Sequence, residues 1–136
     1  MLDMLQLRPP SAQVRRRRRG SPQLPICTIR VQRHADWTAI LLRGELDLDS
    51  GLRLERELRA ELARGKPVIV ELAGLDFTDV NGIRLLQELV AEGASSVSPA
   101  GIELHGARGQ VADLITRLGL DGLVEPGPSR RHRFFA

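Results

Sequence analysis

Residues 68–90 read VIVELAGLDFTDVNGIRLLQELV, and this stretch decides the fold. Its first five residues, Val68–Leu72, form a largely apolar run that is typical of a strand covered on both faces. From Ile83 to Val90, apolar residues recur at helical spacing with charged and amide side chains between them. The stretch therefore predicts a central strand, a short exit through residues 74–77 and a helix that opens at Ile83.

The turn between this strand and this helix is short and polar. Asp79 and Asn81 are both suited to cap a helix N-terminus, where they would lie at the positive end of the helix dipole. Phe77 is expected to fill the base of the helix. We therefore expect a rigid, exposed polar corner over residues 79–82, the kind of junction at which proteins bind partners or phosphate.

Two strands are predicted before the central one. Apolar and polar side chains alternate over Ile26–Gln32, and a more apolar segment follows at Trp37–Arg43, so the pair is expected to form an antiparallel hairpin. Cys27, the only cysteine, is expected to be a small buried hydrophobe, and a lone thiol excludes an intrachain disulfide. Trp37 is expected to pack at the end of the hairpin.

A loop rich in carboxylates, residues 44–50 (GELDLDS), leads into the first helix, which is predicted at about residues 52–64. Asp49 or Ser50 is expected to cap this helix, and Gly65 is expected to end it. The buried stripe of the helix is predicted to consist of Leu54, Leu58 and Leu62.

The remainder of the domain alternates between helix and strand. Residues 91–100 are small and polar and predict a surface loop. A strand at Ile102–His105, a helix with an apolar face from Val111 to Leu118 and a short edge strand at 120–124 follow. The order strand-strand-helix-strand-helix-strand-helix-strand indicates an α/β fold: a small mixed, mostly parallel sheet with an N-terminal β-hairpin and about three to four helices.

Charge is unevenly distributed along the 136 residues, whose net charge is +3. Residues 24–128 contain 11 basic and 16 acidic side chains, a net charge of −5, whereas the two ends together carry +8. We divide the chain into a disordered basic tail at 1–25, one folded domain at 26–125 and a disordered tail at 126–136, for which a short hydrophobic docking peptide is the alternative. The acidic domain argues against nucleic-acid binding, except through the arginines at 15–19.

The sequence contains no recognisable catalytic or metal-binding pattern. His34, His105 and His132 match no catalytic triad and no metal-ligand spacing, and Gly65-Lys66 is not followed by the Ser or Thr of a phosphate-binding loop. We therefore expect no enzyme activity, cofactor, metal or small-molecule substrate. No segment reaches the roughly 20 apolar residues of a membrane span, and no apolar segment follows the arginine run as in a signal peptide, so a cytoplasmic protein is expected.

Three motifs in this order resemble the STAS domain of bacterial anti-sigma factor antagonists: residues 44–47 (GELD), residues 77–83 (FTDVNGI) and residues 111–120 (VADLITRLGL). The resemblance covers about residues 26–124. It implies the STAS fold, a non-catalytic protein-binding role in transcription regulation by partner switching, and an anti-sigma factor of the histidine-kinase-like ATPase type as partner. It also implies a partner-binding surface formed by Asp47, Asp79, Val80, Asn81, Gly82 and Arg84. For Asp47, a purely local role in its loop is the alternative.

One position departs from the family pattern. In that family the anti-sigma kinase phosphorylates the hydroxyl residue just before the glycine of the turn, and this phosphoacceptor-equivalent position is Asn81 here. An amide cannot accept a phosphoryl group. The resemblance therefore implies a partner surface that phosphorylation at residue 81 cannot disrupt by added charge.

Two other functions remain open from the sequence. The same fold could serve as a structural STAS subunit of a lipid-transport ABC complex or of a larger signalling assembly, where a phosphoacceptor is dispensable. Alternatively, the arginines at 15–19 could attach the protein to nucleic acid or to an anionic membrane. The sequence does not specify whether the protein is a monomer or an oligomer.

Overall fold

The computed structural model describes residues 26–95 and 101–125. The predictions of disordered tails at 1–25 and 126–136, and of a loop over 96–100, concern residues outside that part of the chain. No helix within the described residues combines the length and apolar content needed to cross a membrane.

Five strands and three α-helices make up the described domain. In chain order they are β1 (Cys27–Arg33), β2 (Thr38–Leu46), α1 (Leu48–Ala63), β3 (Val68–Thr78), α2 (Val80–Ser95), β4 (Ile102–His105), α3 (Gly109–Arg117) and β5 (Val124–Glu125), with a short 3₁₀ helix at Asp121–Leu123. The strands lie in the order β1-β2-β3-β4-β5. The first pair is antiparallel and the other three pairs are parallel. The predicted α/β fold, with its N-terminal hairpin and mostly parallel sheet, is confirmed.

The hairpin forms as the alternation predicts. Ile29 lies opposite Leu42 in the register of β1 and β2, and Cys27 is fully buried. The connecting turn is closed by the His34 N–H, which donates to the Trp37 carbonyl at 2.8 Å. Trp37 is buried at this end of the hairpin, and its ring stacks on that of His34.

The central strand is longer than predicted. β3 does not leave the sheet at residues 74–77 but runs to Thr78, because β2 also continues, through residues 44–46, and pairs Leu46 with Thr78. The pairing has two register shifts, the first of which lies beside Gly74, where a Cβ would lie 2.7 Å from the Leu42 carbonyl oxygen. Phe77 is 45% exposed and does not fill the base of the helix, so that expectation was wrong.

Two helices begin earlier than their periodicity suggested. α1 starts at Leu48 rather than near residue 52, with Asp47 instead of Asp49 or Ser50 as its N-cap. α2 starts at Val80 rather than Ile83 and continues to Ser95, beyond the predicted end at residue 90. Both starts follow directly on the ends of the lengthened strands.

The helices cover one face of the sheet. Because the parallel strands follow one another in both chain order and sheet order, right-handed crossovers place all three helices on the same side. The main core lies there, and Leu54 and Leu58 of the predicted α1 stripe are fully buried in it. Burial of a leucine stabilises the fold by about 1.5–3 kcal/mol. This arrangement brings the N-terminal ends of α1 and α2 side by side at the carboxyl edge of the sheet.

Candidate functional site

The corner formed by residues 79–82 is held by a helix cap. The Asp79 carboxylate accepts a hydrogen bond from the Gly82 N–H at 2.9 Å. This bond satisfies one of the unpaired amides in the first turn of α2 and places the negative charge at the positive end of the helix. Asp79 is therefore the cap, as predicted, whereas Asn81 lies within the first turn.

Thr78 anchors the corner to the sheet. The Thr78 N–H donates to the side-chain oxygen of Gln110 at 3.1 Å, and the Gln110 side-chain NH₂ donates to the Thr78 carbonyl oxygen at 3.0 Å. The Thr78 hydroxyl is buried and donates to the Asp79 carbonyl at 3.2 Å. A Cβ at Gly82 would overlap that hydroxyl and would lie 3.1 Å from Leu46. The corner therefore requires glycine at residue 82 because of a close approach to β3.

A second cap of the same kind lies beside the first. The Ser50 N–H donates to the Asp47 carboxylate at 2.9 Å, and the Asp47 N–H donates to the Ser50 hydroxyl at 2.8 Å. This reciprocal pair is a capping box, with Ser in the place usually taken by Glu or Gln. The Asp47 carboxylate is thereby fixed at the N-terminal end of α1, and the local role considered for this residue is real.

Between the two helix ends lies a groove of about 210 Å³. Its lining residues are Asp47, Leu48, Gly51, Leu52, Glu55, Asp79, Asn81, Gly82 and Leu85. The structure thus brings Asp47 and Asp79 to one groove, although 32 positions of sequence separate them. The two helices approach closely beneath it, since a Cβ on Gly51 would lie 3.4 Å from the Leu85 side chain.

The predicted site residues of α2 differ in their accessibility, and two of them, Val80 and Arg84, do not line the groove. Asp79, Val80, Asn81 and Arg84 are exposed, whereas Gly82 is buried beneath them. The predicted site residues therefore share one end of the molecule, with five of them presenting accessible atoms and the glycine shaping the turn.

Exposed apolar side chains extend this surface beyond the predicted residues. Leu48 is 77% exposed and Leu52 is 55% exposed, one helical turn apart on α1. Phe77 and Val80 are also exposed large hydrophobic residues at the same edge of the sheet. Apolar groups of this size on a surface commonly mark an interaction site. Leu48 and Leu52 were not singled out from the sequence, and Phe77 was expected to be buried; the signal available was that Leu48 and Leu52 lie off the Leu54–Leu58 stripe of α1.

The metal-binding capacity and the cysteine chemistry of the domain can be read from the described residues. Within residues 26–95 and 101–125, no group of three or more His, Cys, Asp or Glu side chains is placed to hold a metal ion. The one cysteine, Cys27, is buried, and burial raises the pKa of its thiol, which disfavours the reactive thiolate. What the site offers is an apolar groove edged by carboxylates and helix N-termini.

Comparisons with known proteins agree with this fold. The family model described as Mlab, STAS domain, matches residues 29–125 of the chain. A search of curated proteins finds no match. Among solved structures, an anti-sigma factor antagonist from Mycobacterium paratuberculosis is similar with a TM-score of 0.64 and 20% identity, over 80% of this chain and 92% of that one.

Two further solved structures are of SpoIIAA. The anti-sigma factor antagonist SpoIIAA in its unphosphorylated form has a TM-score of 0.64 at 16% identity, covering 79% of this chain and 93% of that chain. The phosphorylated form of this Bacillus cell fate determinant has a TM-score of 0.60 at 15% identity, covering 79% and 97%. At these identities the structural matches establish the shared fold.

Proposed function

The chain belongs to the STAS domain family, and on that premise we propose that it is a non-catalytic, cytoplasmic binding module that acts as an anti-sigma factor antagonist. Its partner is an anti-sigma factor of the histidine-kinase-like ATPase type. By occupying that factor, the protein releases the sigma factor held there, since the two compete for one binding-competent partner.

The observation that supports this proposal most strongly is the exposed corner beside an open groove. Asp79, Val80, Asn81 and Arg84 are accessible, and Asp47 lines the same groove as Asp79 and Asn81. The corner is rigid, because Asp79 caps α2 and Gln110 fixes the preceding residue. A rigid surface loses little conformational entropy on binding, which favours a docking role.

Binding through this corner is insensitive to the kinase activity of the partner. Asn81 stands at the phosphoacceptor position and has no hydroxyl. The hydroxyls of Ser50 and Thr78 at the two helix caps are also poor substitutes, because both are buried and both are engaged in hydrogen bonds. The protein therefore acts as a persistent antagonist whose activity follows its concentration.

The first experiment identifies the partner with matched variants. The tagged chain is used to capture proteins from the native cell, in parallel with Val80→Asp and with Ala60→Asp, an exposed position on the far half of α1. An acidic residue in the first turn of α2 suits the helix dipole, so Val80→Asp should fold. We expect a kinase-type anti-sigma factor with the wild type and with Ala60→Asp, and its loss with Val80→Asp. Recovery of permease and transport-ATPase subunits instead would contradict the proposal in favour of a structural subunit.

The second experiment restores the missing hydroxyl. Asn81→Ser replaces an exposed side chain in the first turn of α2 with little effect on the fold. With Mg-ATP and the captured partner, this variant should become phosphorylated at residue 81 and dissociate, whereas the wild type stays bound. Phosphate on Ser50 or Thr78 of the wild type would refute the phosphate-insensitive mechanism.

A further inference from the structure

The face of the sheet opposite the helices carries a second apolar cluster. Trp37, Ala39 and Ile69 form it, with Leu41 packed against them. They alternate along β2 and β3 with the residues of the main core, so they point away from the helices. Within the described residues, no helix contributes a side chain to this cluster.

The side chains on this second face are more deeply buried than the strands of the sheet alone can make them. Ala39 and Ile69 are 0% exposed and Trp37 is 4% exposed. Two ionisable residues on the same face, Glu71 and His105, are also buried. A sheet face left to water carries exposed, mainly polar side chains, whereas this one requires a covering layer. None of the three described helices supplies that layer.

Charge distinguishes the two edges of this face. At the β1–β2 edge the face carries Arg30 and Arg43, which lie on the same side as the cluster by strand alternation. The arginine run at 15–19 has charge of the same sign as this edge, which disfavours the N-terminal segment as its cover. At the opposite edge, the register aligns Glu71 with His105 and His105 with Glu125. Glu103 adds a further carboxylate there, 3.0 Å from the His105 ring.

The segment that leaves this acidic edge has matching chemistry. Residues 126–136 (PGPSRRHRFFA) begin directly after Glu125 and contain three arginines followed by two of the three phenylalanines in the chain. β5 lies three strand spacings from β2, about 14 Å. Eleven extended residues span up to about 36 Å, so the segment can reach the far side of the cluster. Its order also fits, because the arginines come before the phenylalanines on a path from the carboxylates to the apolar patch.

We propose that residues 126–136 cross the second face of the sheet as a strap. Arg130 and Arg131 lie beside Glu71 and Glu103, and Phe134 and Phe135 cover the cluster around Trp37. This assignment takes up the docking-peptide alternative for the C-terminal segment and does not depend on the proposed function. The strap lies on the face opposite the groove, so it completes the fold without obstructing the docking surface.

Trp37 reports on the strap directly, because it is the only tryptophan. Its fluorescence emission and its quenching by acrylamide are measured in the full chain and in a full-length Phe134→Ser/Phe135→Ser variant. Ser129→Ala in the same segment serves as the control. We expect the double variant to show red-shifted emission and a several-fold larger quenching constant, and Ser129→Ala to match the wild type.

Two deletions separate the strap from other occupants. Removal of 126–136 should reproduce the double variant, and removal of 1–25 should leave Trp37 protected. Protection lost only with 1–25 would assign the cover to the N-terminal segment, and protection that depends on protein concentration would assign it to a second copy; either result overturns the proposal. Unchanged quenching in the double variant overturns it as well. Far-UV circular dichroism verifies folding, and the full-length double variant decides the question if the C-terminal deletion does not fold.

Discussion

Gly82→Ala tests the close packing that fixes the corner. A Cβ at this position would overlap the Thr78 hydroxyl and crowd Leu46. Thr78 cannot retreat easily, because both of its backbone groups are bound to Gln110 and its side chain is buried. Overpacking of this kind costs about 1–3 kcal/mol. Alanine gains about 1 kcal/mol over glycine in helix propensity, so we expect a net loss of up to about 2 kcal/mol in the free energy of unfolding.

Gly51→Ala is the matched control. Gly51 also lies in the first turns of a helix, but its added Cβ would meet only Leu85, at 3.4 Å, an ordinary contact distance. The propensity gain is then not offset, and the variant should be more stable than the wild type by up to about 1 kcal/mol. For a domain of this size, 1 kcal/mol corresponds to about 4–8 °C in Tm.

Urea denaturation followed by far-UV circular dichroism measures both variants. A second substitution identifies the colliding atom: Thr78→Ala removes the hydroxyl and should recover stability in the Gly82→Ala background, whereas Thr78→Val keeps an atom there and should not. The coupling between residues 78 and 82 should be about 1 kcal/mol or more. If Gly82→Ala proves as stable as Gly51→Ala, the corner is not held by this approach and the reasoning fails.

Three other expectations follow from the Asp79 cap, the ion pair between half-exposed Arg33 and buried Glu61, and the buried thiol. Asp79→Ala should destabilise the fold by about 1 kcal/mol and Asp79→Asn by less, because asparagine retains the capping oxygen; equal losses in thermal denaturation would contradict the cap. Arg33 hydrogen-bonds the buried Glu61 carboxylate and lowers its pKa. The stability from this pair is therefore present above the ordinary carboxyl pKa and is lost as pH falls through the lowered value. Glu61→Gln should flatten the dependence of stability on pH below about pH 4.5, and an unchanged dependence would exclude this cause. Burial raises the pKa of the Cys27 thiol, so Ellman's reagent at pH 8 should react slowly until denaturant is added, and immediate reaction would show that the first strand opens readily.

The order of elements could be predicted because its signals are local. Alternation over β1 and helical spacing in α1, α2 and α3 are properties of short stretches, and they specified the α/β class. The lengths of β2 and β3 could not be predicted, since each strand extends only because the other is there to pair with it, through Leu46 and Thr78. Helices α1 and α2 begin earlier than predicted for the same reason, because each N-cap residue follows directly on the end of the preceding strand.

Only part of the site could be predicted, because local signals identify a helix cap but not the residues that come close to it in space. Asp79 was identified as a cap from its position before a helix, whereas its nearness to Asp47 came only from family resemblance, and the structure brings both to one groove. The exposed leucines of α1 were missed because a leucine by itself predicts burial. Leu48 and Leu52 face outward because α1 packs on the sheet through Leu54 and Leu58.

The most direct test of the docking corner is the affinity of the captured anti-sigma factor for the wild-type chain, measured by calorimetry before and after incubation with Mg-ATP. We expect the two dissociation constants to agree, and Val80→Asp to weaken binding by about 2 kcal/mol or more, as for a residue central to an interface. A wild-type complex that dissociates on addition of ATP, or one that is indifferent to Val80→Asp, would contradict the account.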